Sequence, residues 1–227
     1  MSVAIVLLSG GIDSATALAV ALQEKRQVTA LSIDYGQRHR VELDCARRLA
    51  ARYDVPHKVA VIDLHAVGGS ALTSGDMALE RNRTLGDMTN VPRSYVPGRN
   101  TVFLSLALAW SEVLGASQII VGANAFDLAG FPDCRPSYLA AFERVANLAR
   151  PHRFGSLQVR APLIRMSKTQ VVRLGIELGV DYGSTSSCYD PAANGACASC
   201  DACVIRLAAF AELGLPDPIV YREPPNV

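Results

Sequence analysis

Lysine is scarce in this chain: of 22 basic residues only Lys25, Lys58 and Lys168 are lysines, and the rest are arginine. Arginine is the better planar, bidentate partner for carboxylate and phosphate, although genome composition can produce the same bias. A charge excess is missing as well. The 21 acidic residues leave a formal charge of +1, so bulk electrostatics provide no pull onto nucleic acid or anionic lipid. No apolar run is long enough for a bilayer span; the most apolar helix candidate, residues 101–114, is short and contains Glu112. Residues 1–5 have no basic stretch and run straight into a polar glycine turn, unlike a secretory leader. These absences set the expectation of a cytoplasmic protein whose six cysteines stay as thiols or bind metal rather than pair.

What is present points to a folded α/β protein. Half of the 227 residues are hydrophobic and 19% are charged, enough for one substantial core plus a small appendage. Apolar runs at residues 3–8, 28–33, 57–62 and 118–121 read as buried strands. Helical patterns at 15–25, 38–53 and 101–114 alternate with them. In the second of these helices Val41, Cys45 and Leu49 recur at spacing four, on the expected inward face. Strand and helix alternating in this way predict a Rossmann-like parallel sheet with helices on both faces. Its ligand site should lie beyond the carboxyl ends of the strands.

Ser167 and Gln170 have the form of a capping box opening a helix that runs to Leu178. The division expected is an α/β domain over residues 1–180 and a cysteine-bearing segment over 181–227. Residues 68–100 form a connection long enough to be a lid or binding loop. A last short helix is expected at 204–213, before a proline-rich tail.

Two clusters carry chemistry. The first is Ser9-Gly10-Gly11-Ile12-Asp13-Ser14, placed directly after the first strand and before the first helix. Glycines let the backbone turn tightly and approach a ligand, while free helix N–H groups favour an anion. Asp13 could hold Mg2+ bridging phosphate oxygens. The Walker lysine is missing and so is the GxGxxG spacing, which excludes those two phosphate-binding loops. The second cluster is Cys188, Cys197, Cys200 and Cys203. Four thiolates at this spacing can close a tetrahedron around Zn2+ as a structural site. The C-x2-C-x2-C run also occurs in iron–sulfur proteins.

SGGxDS resembles the pyrophosphate loop of the N-type ATP pyrophosphatases. The chain also carries Tyr95-Val96-Pro97-Gly98-Arg99-Asn100, Gly130-Phe131-Pro132-Asp133-Cys134-Arg135 and the cysteine array in that order. Together these closely resemble the QueC family of queuosine biosynthesis, from about Ser9 to Phe210. The resemblance implies an ATP-dependent ligase with ATP, Mg2+ and Zn2+, acting on 7-carboxy-7-deazaguanine and ammonia. It also implies a homodimer. There is no spare length for an amidotransferase domain, so ammonia is expected to arrive free or from an external donor. Two positions depart from the family pattern: Ser186 stands where a large apolar residue is usual, and Ser199 where glycine is usual.

The resemblance implies roles for particular residues. Leu8, Ser9, Gly10, Gly11, Ile12, Asp13 and Ser14 would cradle ATP, with Asp34, Tyr35 and Arg38 near the nucleoside. Asp34 could equally be a turn former and Tyr35 a core aromatic, while Arg38 and His39 could meet phosphate or substrate or simply open a helix facing solvent. Asp13, Ser14, Arg99 and Lys168 are the expected catalytic set, Arg99 and Lys168 offsetting negative charge. Asn124, Asp133 and Arg135 are the expected substrate contacts, although Asn124 could merely satisfy a turn and Asp133 and Arg135 form a surface pair. Asn100 is expected to cap the helix that follows it, and Cys45 and Cys134 to be packed rather than reactive. A ligase joining a related acid to an amine on a macromolecule, a tRNA thiolase, and a zinc-braced adaptor remain as alternatives.

Overall fold

The computed structural model describes residues 3–24 and 27–222. In chain order the elements are β1 (Val3–Leu7), α1 (Ile12–Gln23), β2 (Gln27–Asp34), α2 (Val41–Arg52), β3 (His57–Val61), α3 (Arg99–Leu114) and β4 (Gln118–Ile120). These are followed by α4 (Asp127–Gly130), α5 (Pro136–Ala149), β5 (Gln158–Arg160), α6 (Lys168–Glu177) and α7 (Asp201–Glu212). The five strands form one sheet in the order β3-β2-β1-β4-β5, parallel throughout. The order reverses between β1 and β4, and a crevice opens there at the strands' carboxyl ends.

Side chains alternate across β1. Ala4, Val6 and Leu8 enter one apolar cluster with α1, α2, α6 and α7, while Ile5 enters a second with α3 and α5. Both faces are therefore covered, which explains why the strands read as unbroken apolar runs. Helix α7 contributes Ala209 and Phe210 to the first cluster. The cysteine segment is thus anchored on the same core as the sheet. No helix among the described residues is long and apolar enough to cross a membrane.

Several local expectations hold. Ser167 Oγ accepts from the Gln170 N–H and Gln170 Oε1 accepts from the Ser167 N–H, so the capping box opens α6. Cys45 and Leu49 are buried. Others need correction. Val41 is exposed, standing at the first residue of α2, while Leu43 of the same turn is buried. Asn100 does not cap α3. Gly98, at φ 67°, takes the cap position, and Asn100 lies inside the first turn. Helix α1 is described to Gln23, and the expected end at Lys25 lies outside the described residues. Helix α7 starts three residues before its expected beginning, as Cys200 takes the cap position. Helix α5 and strand β5 were not expected at all.

Candidate active site

The turn after β1 is held shut by its own side chains. Ser14 Oγ accepts from the N–H groups of Ser9 and Gly10, 3.2 Å each, and donates to the Gly11 carbonyl at 3.1 Å. Gly10 sits at φ 93° with Glu42 O only 2.1 Å from where a Cβ would lie, so no other residue fits. Gly122, just past β4, similarly abuts the backbone of Asp13 and Ser14. Neighbouring strands and α2 therefore clamp the turn from both sides.

A cavity of about 290 Å³ opens over this turn. Leu8, Ser9, Gly11, Ile12, Asp13 and Ser14 line it, Leu8 and Ile12 from the apolar core. Lys168 reaches in from the first turn of α6, and its Nζ lies 2.7 and 2.6 Å from the two Asp13 oxygens. A cation at a helix N-terminus opposes the macrodipole; here the Asp13 carboxylate supplies the compensating charge. Tyr35 and Arg99 also line the cavity, the Arg99 guanidinium lying over the Tyr35 and Phe103 rings at 6.0 and 5.9 Å. No carboxylate is within ion-pair distance of Arg99 among the described residues. Asp133 accepts the Asn100 N–H through Oδ2 at 3.1 Å, capping α3 from outside, while its buried Oδ1 has no partner. That oxygen is an acceptor on the cavity wall with nothing to accept from.

Five expected contacts lie off the cavity wall. Gly10 turns its carbonyl to the Ser186 N–H at 2.9 Å. Asp34 is ion-paired with Arg40 and accepts the Gly36 N–H, as a turn former would. Arg38 binds Asp190 at 3.2 Å. Asn124 is fully buried in a side-chain turn, donating Nδ2 to Asp127 and accepting the Phe126 N–H, so its polar atoms are already used. Arg135 is exposed and donates Nε to the Leu128 carbonyl. Asp133 and Arg135 form no ion pair.

The structure adds residues that no motif marks. Asp127 lines the cavity beside the Lys168–Asp13 pair, and burial pushes its carboxyl up to about 6. Glu42 and Tyr189 line it as well, and so does His39, which the sequence offered as a phosphate or substrate contact. The long connection 68–100 contributes Arg83, Met88, Asn90, Pro92 and Ser94 to the wall. Its Arg81 bridges to Cys200, and its Arg83 is ion-paired with Asp201. Cys134 is packed, and burial raises its thiol to about 12.

The four C-terminal cysteines come together and are buried, their Sγ atoms all within 4.8 Å of one another. Cys197 and Cys203 Sγ are 3.9 Å apart, matching the roughly 3.8 Å edge of a tetrahedron built on a Zn–S bond of ~2.3 Å. Backbone N–H groups of Asp190 and Cys197 point at Cys188 Sγ, and that of Cys200 at Cys197 Sγ. Such donors stabilise thiolates, and the set fits a single closed Zn2+ site. The left-handed residue in this knuckle is Ala198, at φ 61°, rather than Ser199.

A parallel sheet with a phosphate-type turn at its switch point, facing a lysine and an arginine, defines a nucleotide-binding α/β protein of the ATP pyrophosphatase type. The model for "Queuosine biosynthesis protein QueC" matches residues 3–214. The chain belongs to that family. It is 52% identical over 225 residues to the 7-cyano-7-deazaguanine synthase of Solidesulfovibrio magneticus, covering 96% of this chain and 95% of the relative. The same enzyme of Anaeromyxobacter dehalogenans is 53% identical over 226 residues, covering 97% and 96%. Among solved structures, a U34-tRNA thiolase from Methanococcus maripaludis superposes with a TM-score of 0.51 at 17% identity. That match covers 94% of this chain and 66% of the thiolase, a likeness of fold.

Proposed function

We propose that the chain catalyses the ATP-dependent conversion of 7-carboxy-7-deazaguanine and ammonia to the 7-cyano base. The observation that carries this reading is the end-to-end identity with 7-cyano-7-deazaguanine synthases, above half over 96–97% of the chain. The cavity supplies the means.

A carboxylate is a poor electrophile, so its oxygen must first be joined to the α-phosphorus of ATP with loss of pyrophosphate. The turn over Ser9 to Ser14 offers the N–H groups at the start of α1 for the departing phosphates. Lys168, positioned against Asp13, offsets charge building there. Asp13 would hold Mg2+, which when bound neutralises phosphate charge. Arg99, with no carboxylate of its own, faces the substrate acid, and the unpartnered Asp133 oxygen accepts N–H groups of a guanine-like ring. Ammonia then displaces AMP to give the amide. A second ATP activates the amide oxygen, whose departure leaves the nitrile. The four cysteines would hold Zn2+ as a brace, with no position left for reacting water.

The test is mass spectrometry of products after incubation with ATP, Mg2+, ammonia and the acid. A nitrile with AMP, and 18O passing from the labelled carboxylate to AMP, is expected. ADP in place of AMP would overturn the reading, and amide without nitrile would remove the second activation.

A further inference from the structure

Ammonia that attacks an acyl group must lose a proton, and none of the groups discussed so far takes it. Arg99 stays charged, Cys134 stays a thiol, Lys168 is ion-paired with Asp13, and Asp127 accepts from Asn124. One side chain on the cavity is left over. His39 is only 4% exposed, yet its Nδ1 has no hydrogen-bond partner.

Its other nitrogen is fixed. Nε2 lies 3.3 Å from Glu42 Oε1, and that oxygen also accepts from Gln37 Nε2 at 3.1 Å. Gln37 is itself locked, accepting the Tyr35 N–H at 2.8 Å and donating to the Ile33 carbonyl at 3.3 Å. A carboxylate can only accept, so a proton held on Nε2 towards Glu42 leaves the ring's lone pair on Nδ1. A histidine oriented by a carboxylate, with its second nitrogen bare, has the constitution of a general base. The Glu42 carbonyl meets Gly10, so this pair stands directly against the phosphate turn.

We propose that His39, oriented by Glu42, is the base that accepts the proton of the attacking ammonia; this rests on the ligase reading above. The nitrogen lone pair forms the N–C bond at the acyl carbon. The C–O bond to AMP breaks and AMP leaves with that electron pair. One N–H proton passes to Nδ1, and the imidazolium, held by the Glu42 carboxylate, returns it to solvent. His39 is then a catalytic residue and Glu42 a positioning one.

His39→Gln keeps a donor for Glu42 but removes the base. Two steps are measured separately: acid-dependent exchange of labelled pyrophosphate into ATP without ammonia, and single-turnover amide formation with it. Exchange should stay within about twofold of wild type while amide formation falls by roughly 10²- to 10⁴-fold. The groups facing His39 are Glu42 on α2, Tyr35 after β2 with its ring at 6.4 Å, and Tyr189 of the cysteine segment at 5.7 Å. Arg99 of α3 lies behind Tyr35. Burial raises both tyrosines, so each keeps its phenol proton and neither can serve as the base. Glu42→Gln should likewise lower amide formation more than exchange, since the ring loses its orienting carboxylate. Equal loss of exchange and amide formation in either variant would overturn the proposal. Absence of exchange in the wild type would instead overturn the ligase reading itself.

Discussion

The sheet and the cysteine segment are ordered by different forces. Around β1 the buried side chains are almost all aliphatic, Ile5, Leu18, Leu49 and Ile119 among them, and stability follows apolar area removed from water. Between Cys188 and Arg222 the largest buried side chain is Arg206. It donates to Asp217 at 2.6 and 2.8 Å, to Thr185 Oγ1 at 2.7 Å and to the Tyr182 carbonyl at 3.0 Å. Asp190 gathers Arg38, Arg81 and Arg222. A stretch that cannot enclose an oily core takes its shape from directional bonds and a metal.

The contrast can be broken most forcefully at the metal. Cys200→Ser should abolish zinc binding, measured by metal content, and remove hydrogen-exchange protection over residues 185–222 while β1 and β2 stay protected. Metal binding of this kind is worth on the order of 10 kcal/mol. Loss of protection throughout the sheet would show that the two regions are one cooperative unit. Next comes Arg206→Met, which strands the buried Asp217 carboxylate and should cost about 3–5 kcal/mol in denaturant unfolding. Adding Asp217→Leu should recover part of that loss.

The sheet half has its own polar exception. Asp127 titrates at about 6 in the folded protein through burial, against about 3.9 in an unfolded chain. Below pH 4 both states are protonated and the residue costs nothing. As pH rises from 4 to 6 the unfolded chain releases its proton first, so stability falls, and the full penalty holds above pH 6. Asp127→Asn should flatten that fall, by about 2 kcal/mol across the window, in urea midpoints measured against pH. The smallest effect is expected in the knuckle. Ala198 holds a left-handed conformation, and Ala198→Gly should stabilise the metal-loaded protein by about 1 kcal/mol.

The same contrast governs what the residues disclosed in advance. Four strands were legible because a buried parallel strand is a run of apolar side chains, and the Ser167–Gln170 box because capping is local chemistry. The cysteines were legible because metal spacing is local as well. Strand β5, three residues long with a glutamine and an arginine, carries no such run. Helix α5 had a readable signal in Pro136 at its first position and buried Leu139, Phe142 and Ala146. At the site, the motif residues of the turn other than Gly10 lie on the cavity, whereas Asn124 and Arg135 are taken up by neighbours in sequence. Asp127 and Glu42 belong to no motif. Their position depends on how α2 and α4 pack, which one chain's residue order does not state.

Among the hydrogen bonds that join the two regions, one ends on the phosphate turn itself: Ser186 N–H to the Gly10 carbonyl. The glycine belongs to the first turn made on the ribosome, and its partner emerges only after the whole sheet has been synthesised. A nascent chain lacking that partner has a phosphate turn with one end untied. ATP binding is therefore expected to mature late in translation.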